Sequence, residues 1–132
     1  MSIKASLKSQ VRSRARYLCE YCHSSEEAST SQFTIDHLQP RSLGGSDELE
    51  NLALACHRCN TRRYNFTTGI DPKDDSLSPL FNPRAHQWVQ HFIWSADGLR
   101  IVGISSIGRA TCNRLDMNDD EHDEGAIVKA RR

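Results

Sequence analysis

The sequence predicts an α+β fold: a small strand-and-helix core, preceded by a basic N-terminal helix and followed by a β-hairpin plus helix. Three patterns carry that reading. Ile3, Leu7, Val11, Ala15 and Leu18 recur every three or four residues in a stretch free of Gly and Pro, which is the period of an amphipathic helix. Residues 33–38 (FTIDHL) alternate as a short strand does. Residues 88–94 and 99–104 flank the turn residues SADG, a hairpin signal.

The remaining stretches follow from local chemistry. Residues 24–32 (SSEEASTSQ) are polar and predict a loop. Residues 40–46 (PRSLGGS) are also loop, with Gly44 and Gly45 supplying backbone freedom. Residues 51–55 (NLALA) form a run too short for its period to separate strand from helix. Residues 60–66 predict a short helix carrying Arg62 and Arg63. Residues 71–83, rich in Asp, Ser and Pro, predict a linker or extended arm, and residues 106–117 a final helix.

A chain of 132 residues with 37% hydrophobic and 26% charged content makes one globular domain with a tail. No apolar run reaches the length of a membrane span, and the N-terminus lacks a signal-peptide core, so a cytoplasmic location is expected. The charge balance, 17 basic against 17 acidic, argues at first sight against a nucleic-acid partner. It is an uneven zero. Residues 116–124 (DMNDDEHDE) hold six acidic residues and no basic one; without them the count is 17 − 11, or +6. Residues 1–20 carry Lys4, Lys8, Arg12, Arg14 and Arg16 against Glu20 alone, and Arg58, Arg62 and Arg63 form a second basic cluster.

Five cysteines in a chain without an export signal favour metal binding over a disulfide framework. Cys19-Glu20-Tyr21-Cys22 and Cys56-His57-Arg58-Cys59 are two C-x-x-C pairs separated by 33 residues. Each pair presents two thiolates on one side of a knuckle, so the four together suit one structural zinc. Cys112 is left over and is expected to be a small buried apolar residue. His23, directly after a knuckle, is expected to be a surface histidine.

Between and just after the knuckles lie Asp36-His37, Asn51 and Asn60, in the context IDHLQPRSLGGSDELENLALACHRCN. Asn51 follows His37 by 14 residues and Asn60 by 23. With Pro40, the Gly44-Gly45 pair, Asn51-Leu52 and the second knuckle, this stretch resembles the HNH, or ββα-metal, endonuclease family over about residues 14–63. The third letter of that motif is most often His; here it is Asn60, an HNN version similar to phage junction-resolving endonucleases and the HNH domain of CRISPR effector nucleases. Residues 81–117 resemble a C-terminal extension found in a group of bacterial, notably cyanobacterial, HNH proteins. In it Trp88, Phe92, Trp94, Ile101, Ile104 and Leu115 are expected to pack on the core, and Asn82, Arg84 and His91 to pin the arm.

The resemblance implies a single HNH domain over residues 1–115, with a zinc-stapled ββα-metal core at about 33–66, an extension at about 80–115, and an acidic then basic tail at 116–132. It implies His37 as general base, with an acceptor holding its other ring nitrogen, a backbone carbonyl of the second strand being the natural choice. It implies that Asp36 and Asn60 hold one divalent metal and that Asn51 holds the loop that positions His37. A carboxamide oxygen suits hard cations, Mg²⁺ or Mn²⁺, where imidazole suits softer ones. The zinc would be structural. Lys8, Arg12, Arg16, Arg58, Arg62 and Arg63 would grip phosphate, with DNA as the expected substrate, RNA not excluded, and no membrane partner. A monomer would nick; cutting both strands would need a homodimer. The alternative reading is a non-catalytic zinc-containing module that binds nucleic acid.

Overall fold

The structure is a computed structural model and describes residues 3–118. Of the sequence expectations, most of the acidic tail lies outside the described residues.

Helix α1 (Ala5–Arg14) has no side-chain N-cap, but Arg12 and Arg14 sit in its last turn, where cations favour the helix dipole. Its buried stripe is narrow: Val11 is fully buried, while Ile3, Leu7 and Ala15 pack partly. The helix ends four residues before the expected Leu18, because Arg16 and Tyr17 both take positive φ (56° and 61°) and turn the chain into the first knuckle.

Strands β1 (Thr34–His37) and β2 (Leu52–Ala55) pair antiparallel, with Asp36 opposite Ala53 and His37 opposite Leu52. The ambiguous run is thus a strand. All four β2 residues are buried, which is why it reads as continuously apolar rather than alternating. Helix α2 (His57–Arg63) follows at once, three residues earlier than the sequence suggests. The Cys56 thiol caps it, accepting the Cys59 N–H at 3.4 Å. These elements, β1, β2 and α2, form the ββα core.

The expected linker at 71–83 overlaps a second hairpin, β3 (Thr68–Asp71) with β4 (Ser76–Pro79). Its Asp residues are turn formers: Asp71 accepts from the Lys73 N–H and Asp74 from the Ser76 N–H, both at 3.0 Å. The expected C-terminal hairpin is β5 (Phe92–Trp94) with β6 (Ile101–Gly103), and the final helix is α3 (Ser106–Leu115), capped by Ser105. Helix α3 packs on both hairpins and on α2. Arg109 on α3 binds Asp71 through two 2.9 Å hydrogen bonds, and Asp71 is 1% exposed. The packed chain runs past the expected boundary at residue 115. Met117 is fully buried, and the Asn118 carboxamide bonds both the N–H and the C=O of Ile101 at 2.8 Å.

Three glycines are required by close approach, among them Gly103, where a Cβ would lie 2.5 Å from the Arg109 nitrogen. A Cβ on Gly108 would lie 1.9 Å from the His91 carbonyl oxygen, and one on Gly45 would lie 1.7 Å from that of Gln39. We expect Gly108→Ala to destabilise the fold by about 2–3 kcal/mol, because the clash is with backbone and α3 must shift off β5. Thermal melting of the variant checks this.

Candidate active site

The first knuckle follows the turn out of α1. The Cys19 N–H bonds the Ser24 carbonyl at 2.8 Å, and the His23 N–H bonds the Cys19 carbonyl at 2.9 Å, closing the loop. The second knuckle is the N-terminus of α2. Together they bring the Cys19, Cys22, Cys56 and Cys59 sulfurs within 4.8 Å of one another, all buried. Burial pushes the Cys19 thiol well up, and hydrogen bonds from its neighbours raise Cys59. Cys56 is lowered to about 6, chiefly by its hydrogen bond with Cys19. Four thiolates so close repel one another in a dry interior, and a soft divalent cation removes that repulsion; the set fits tetrahedral zinc. His23 is half-buried, its ring stacked on Trp88 at 4.2 Å. Cys112 is half-buried in α3, and burial raises it to about 12.

Asp36 and His37 are neighbours on a strand and point to opposite faces. Asp36 faces inward and is 4% exposed. Its carboxylate accepts from the Tyr21 hydroxyl at 2.7 Å and from Arg63 Nη1 at 2.9 Å to each oxygen. Burial pushes this carboxyl up, and Arg63 and Tyr21 pull it back down. The same guanidinium bonds the His37 carbonyl at 3.0 Å and, through Nη2, the Leu38 carbonyl. This corrects the placement of Arg63 among the phosphate-gripping cations. It is 3% exposed and fastens α2 to the end of β1. Asn60 sits one turn earlier on α2, on the helix face that Arg63 occupies.

On the opposite face, His37 Nε2 lies 2.7 Å from Asp47 Oδ1. The acceptor is therefore a carboxylate from the loop between β1 and β2, where a second-strand carbonyl was expected. Asp47 also accepts from Arg41, whose Nε lies at 3.1 Å and Nη2 at 3.0 Å. Asn51 ties the two ends of this loop: its Nδ2 donates to the Gln39 and Ser46 carbonyls at 3.1 and 2.7 Å, and its Oδ1 accepts the Gln39 N–H at 2.8 Å. Gly44, at φ 88°, makes the loop's tight reversal possible. Sequence reasoning missed Asp47, Arg41 and Tyr21. Tyr21 carries a faint signal, as a large aromatic inside a knuckle; a loop Asp ten residues from His37 carries none.

His37 lines a groove of about 380 Å³ between α1 and β1, together with Lys8, Arg12, Arg41, Phe33 and Ile35. The cations expected to hold phosphate are otherwise engaged or spread out. Arg12 pairs with Glu26 at 3.2 Å and bonds the Phe33 carbonyl at 3.1 Å. Arg62 reaches the Leu115 and Asp116 carbonyls at the end of α3, at 3.3 and 3.0 Å. Lys8 and Arg16 are exposed, and Arg58 is half-buried. In the extension, Arg84 forms an ion pair with Glu20, and Asn82 accepts the Arg84 N–H at 2.9 Å. His91 Nδ1 lies 2.7 Å from the Ser105 hydroxyl.

Residues 19–66 match the family model described as HNH endonuclease. They form an HNH endonuclease domain. Over 98 residues, 74% of its length, the chain is 30% identical to the CRISPR-associated endonuclease Cas9 of Corynebacterium diphtheriae. That alignment spans 9% of the relative's length, so the similarity is to one segment of a much larger protein. No solved structure matches significantly. Among the described residues, no helix is long and apolar enough to cross a membrane.

Two outcomes follow from this geometry. Arg63→Met leaves the buried Asp36 carboxylate without its cation and should cost about 3–5 kcal/mol, much of it recovered in the Asp36→Asn/Arg63→Met double variant; chemical denaturation reads both. The cysteine cluster predicts stoichiometric zinc by elemental mass spectrometry. Cys56→Ser should lose the metal and the cooperative melt together, and a folded, zinc-free variant would exclude a four-cysteine site.

Proposed function

We propose that the HNH domain is a metal-dependent endonuclease that hydrolyses DNA phosphodiester bonds with weak sequence specificity. The observation that supports it best is His37 on the floor of a groove lined by Lys8, Arg12 and Arg41, with a carboxylate holding one ring nitrogen. Phosphodiester hydrolysis needs a proton acceptor beside a phosphate-binding surface, and that groove supplies both. His37 takes the proton of the attacking water, while Lys8 and Arg41 draw the backbone phosphates toward it.

The donor chemistry fits a divalent metal. A carboxylate offers about four acceptor positions. Tyr21 and Arg63 use three of those on Asp36, which leaves one on Oδ1. Asp36 and Asn60 are both oxygen donors and would hold Mg²⁺ or Mn²⁺. Such an ion, when bound, neutralises charge on the scissile phosphate and the departing oxygen. Asn51 acts on the loop and not on substrate. The zinc holds the first knuckle to α2 and takes no chemical part. A single ββα unit attacks one strand, so a monomer nicks.

The second reading, a non-catalytic zinc-containing module that binds nucleic acid, draws its support from the Arg63–Asp36 pair, since the guanidinium already gives the expected metal ligand a cation. Plasmid nicking in Mg²⁺ or Mn²⁺ separates the two. The enzyme reading expects wild-type nicking and a loss of about 10²- to 10⁴-fold in His37→Ala, with zinc content unchanged. DNA binding without nicking under either metal would establish the second reading.

A further inference from the structure

We infer that Asp47 is the positioning residue for His37, holding the imidazole with its proton on Nε2 and leaving Nδ1 as the nitrogen that accepts the proton of the attacking water. The inference rests on His37 being the general base, and it adds which nitrogen acts and what selects it.

The argument begins with donor and acceptor inventory. An ionised carboxylate only accepts hydrogen bonds. The 2.7 Å contact between His37 Nε2 and Asp47 Oδ1 therefore puts the ring proton on Nε2. In a neutral imidazole the remaining nitrogen is then the acceptor. Asp47 is suited to stay ionised: hydrogen bonds from His37 and Arg41 hold its carboxyl below the usual range. It is also held in place. Arg41 grips the oxygen that His37 uses, and Asn51 bonds the Ser46 carbonyl immediately before Asp47 and the Gln39 carbonyl at the other end of the loop. Loop, carboxylate and imidazole thus form one chain of contacts that starts at Asn51 and ends at His37.

Among the described residues, Asp47 is the hydrogen-bond partner of the ring. From α1, Lys8 and Arg12 line the same groove and are cations. On β1, Asp36 points to the other face and is taken up by Tyr21 and Arg63. From α2, Arg63 touches the His37 carbonyl and not its ring. The His37 and Asp47 side chains are 14% and 34% exposed, so the contact is partly shielded from water while the groove stays open to substrate.

Ring nitrogen–proton correlation spectra of the ¹⁵N-histidine-labelled full chain test this without substrate. They are recorded above the ordinary histidine range, with the His37 signal assigned from its loss in His37→Gln. The wild type should show the Nε2–H tautomer, and Asp47→Ala should move the signal toward a tautomer mixture. In nicking assays Asp47→Ala should lower kcat about tenfold or more with KM changed less than about twofold, and Asp47→Glu should recover part of kcat. Should Asp47→Ala fail to melt cooperatively, the same ring signal is read in Asp47→Leu, which keeps about the side-chain size and offers no acceptor. An Nδ1–H tautomer in the wild type, or a ring signal unmoved by loss of the Asp47 carboxylate, would overturn the inference. Absence of wild-type nicking would sink the nuclease reading instead, and the tautomer would still report on Asp47.

Discussion

The guanidinium of Arg63 sits buried between α2 and the end of β1, and the rest of the site is arranged around it. It bonds the Asp36 carboxylate and the carbonyls of His37 and Leu38, so it fixes where β1 stops and the loop toward Asp47 begins. An ion pair this deep contributes little net stability over an apolar pair, since both charges are desolvated. What it does supply is registry. Carbonyl groups at a strand end need partners, and a planar fork satisfies several at once, which an ammonium on a flexible stem would not. The cost is visible in Arg63 Nε, which is buried without a hydrogen bond among the described residues.

Tyr21 links this node to the cysteine cluster. It lies between Cys19 and Cys22, and its hydroxyl donates to Asp36, so the first knuckle reaches β1 through one side chain. The C-terminal extension closes on the same knuckle. Trp88 Nε1 donates to the Tyr21 carbonyl at 2.8 Å, and Arg84 pairs with Glu20. Glu20 in turn joins β2, its N–H bonding the Leu54 carbonyl at 2.8 Å and its carboxylate accepting the Leu54 N–H at 2.7 Å. A ββα unit this small buries too little apolar surface to stand alone. The buried four-cysteine cluster on one side and the packed extension on the other enlarge it.

Features with a period or a fixed spacing were legible in the sequence. The paired C-x-x-C motifs are such features, because a tetrahedral metal dictates local spacing whatever lies between. The β1 alternation and the C-terminal hairpin followed from strand and turn chemistry. The β3–β4 hairpin was not legible: Ser76–Pro79 buries only Ser78 and pairs across a polar turn, so composition pointed to a linker. Arg63 misled for a different reason. Charged residues are almost never fully buried unless paired, and its partner lies 27 residues away on another element. Asp47 is a loop residue brought to His37 by a closure that only tertiary structure defines. Asp36, His37, Asn51 and Asn60 were nameable through the resemblance to the HNH family, but that resemblance is silent on what each touches.

The fate of the cations bears on where nucleic acid would lie. Two basic clusters in the sequence suggested two gripping surfaces, α1 and α2. On α2, Arg63 is internal and Arg62 holds the last carbonyls of α3, so that helix presents less positive surface than its sequence implies. On the α1 side, Lys8 is exposed and lines the groove, and Arg41 joins it from the loop with 44% of its side chain exposed. Arg41 is also the residue that grips Asp47. A phosphate arriving in the groove would therefore meet the same guanidinium that aligns the carboxylate behind His37. Under the proposed function, phosphate binding and orientation of His37 would then share one side chain. With so few cations facing it, such a site would make few phosphate contacts, and its affinity should vary only shallowly with salt.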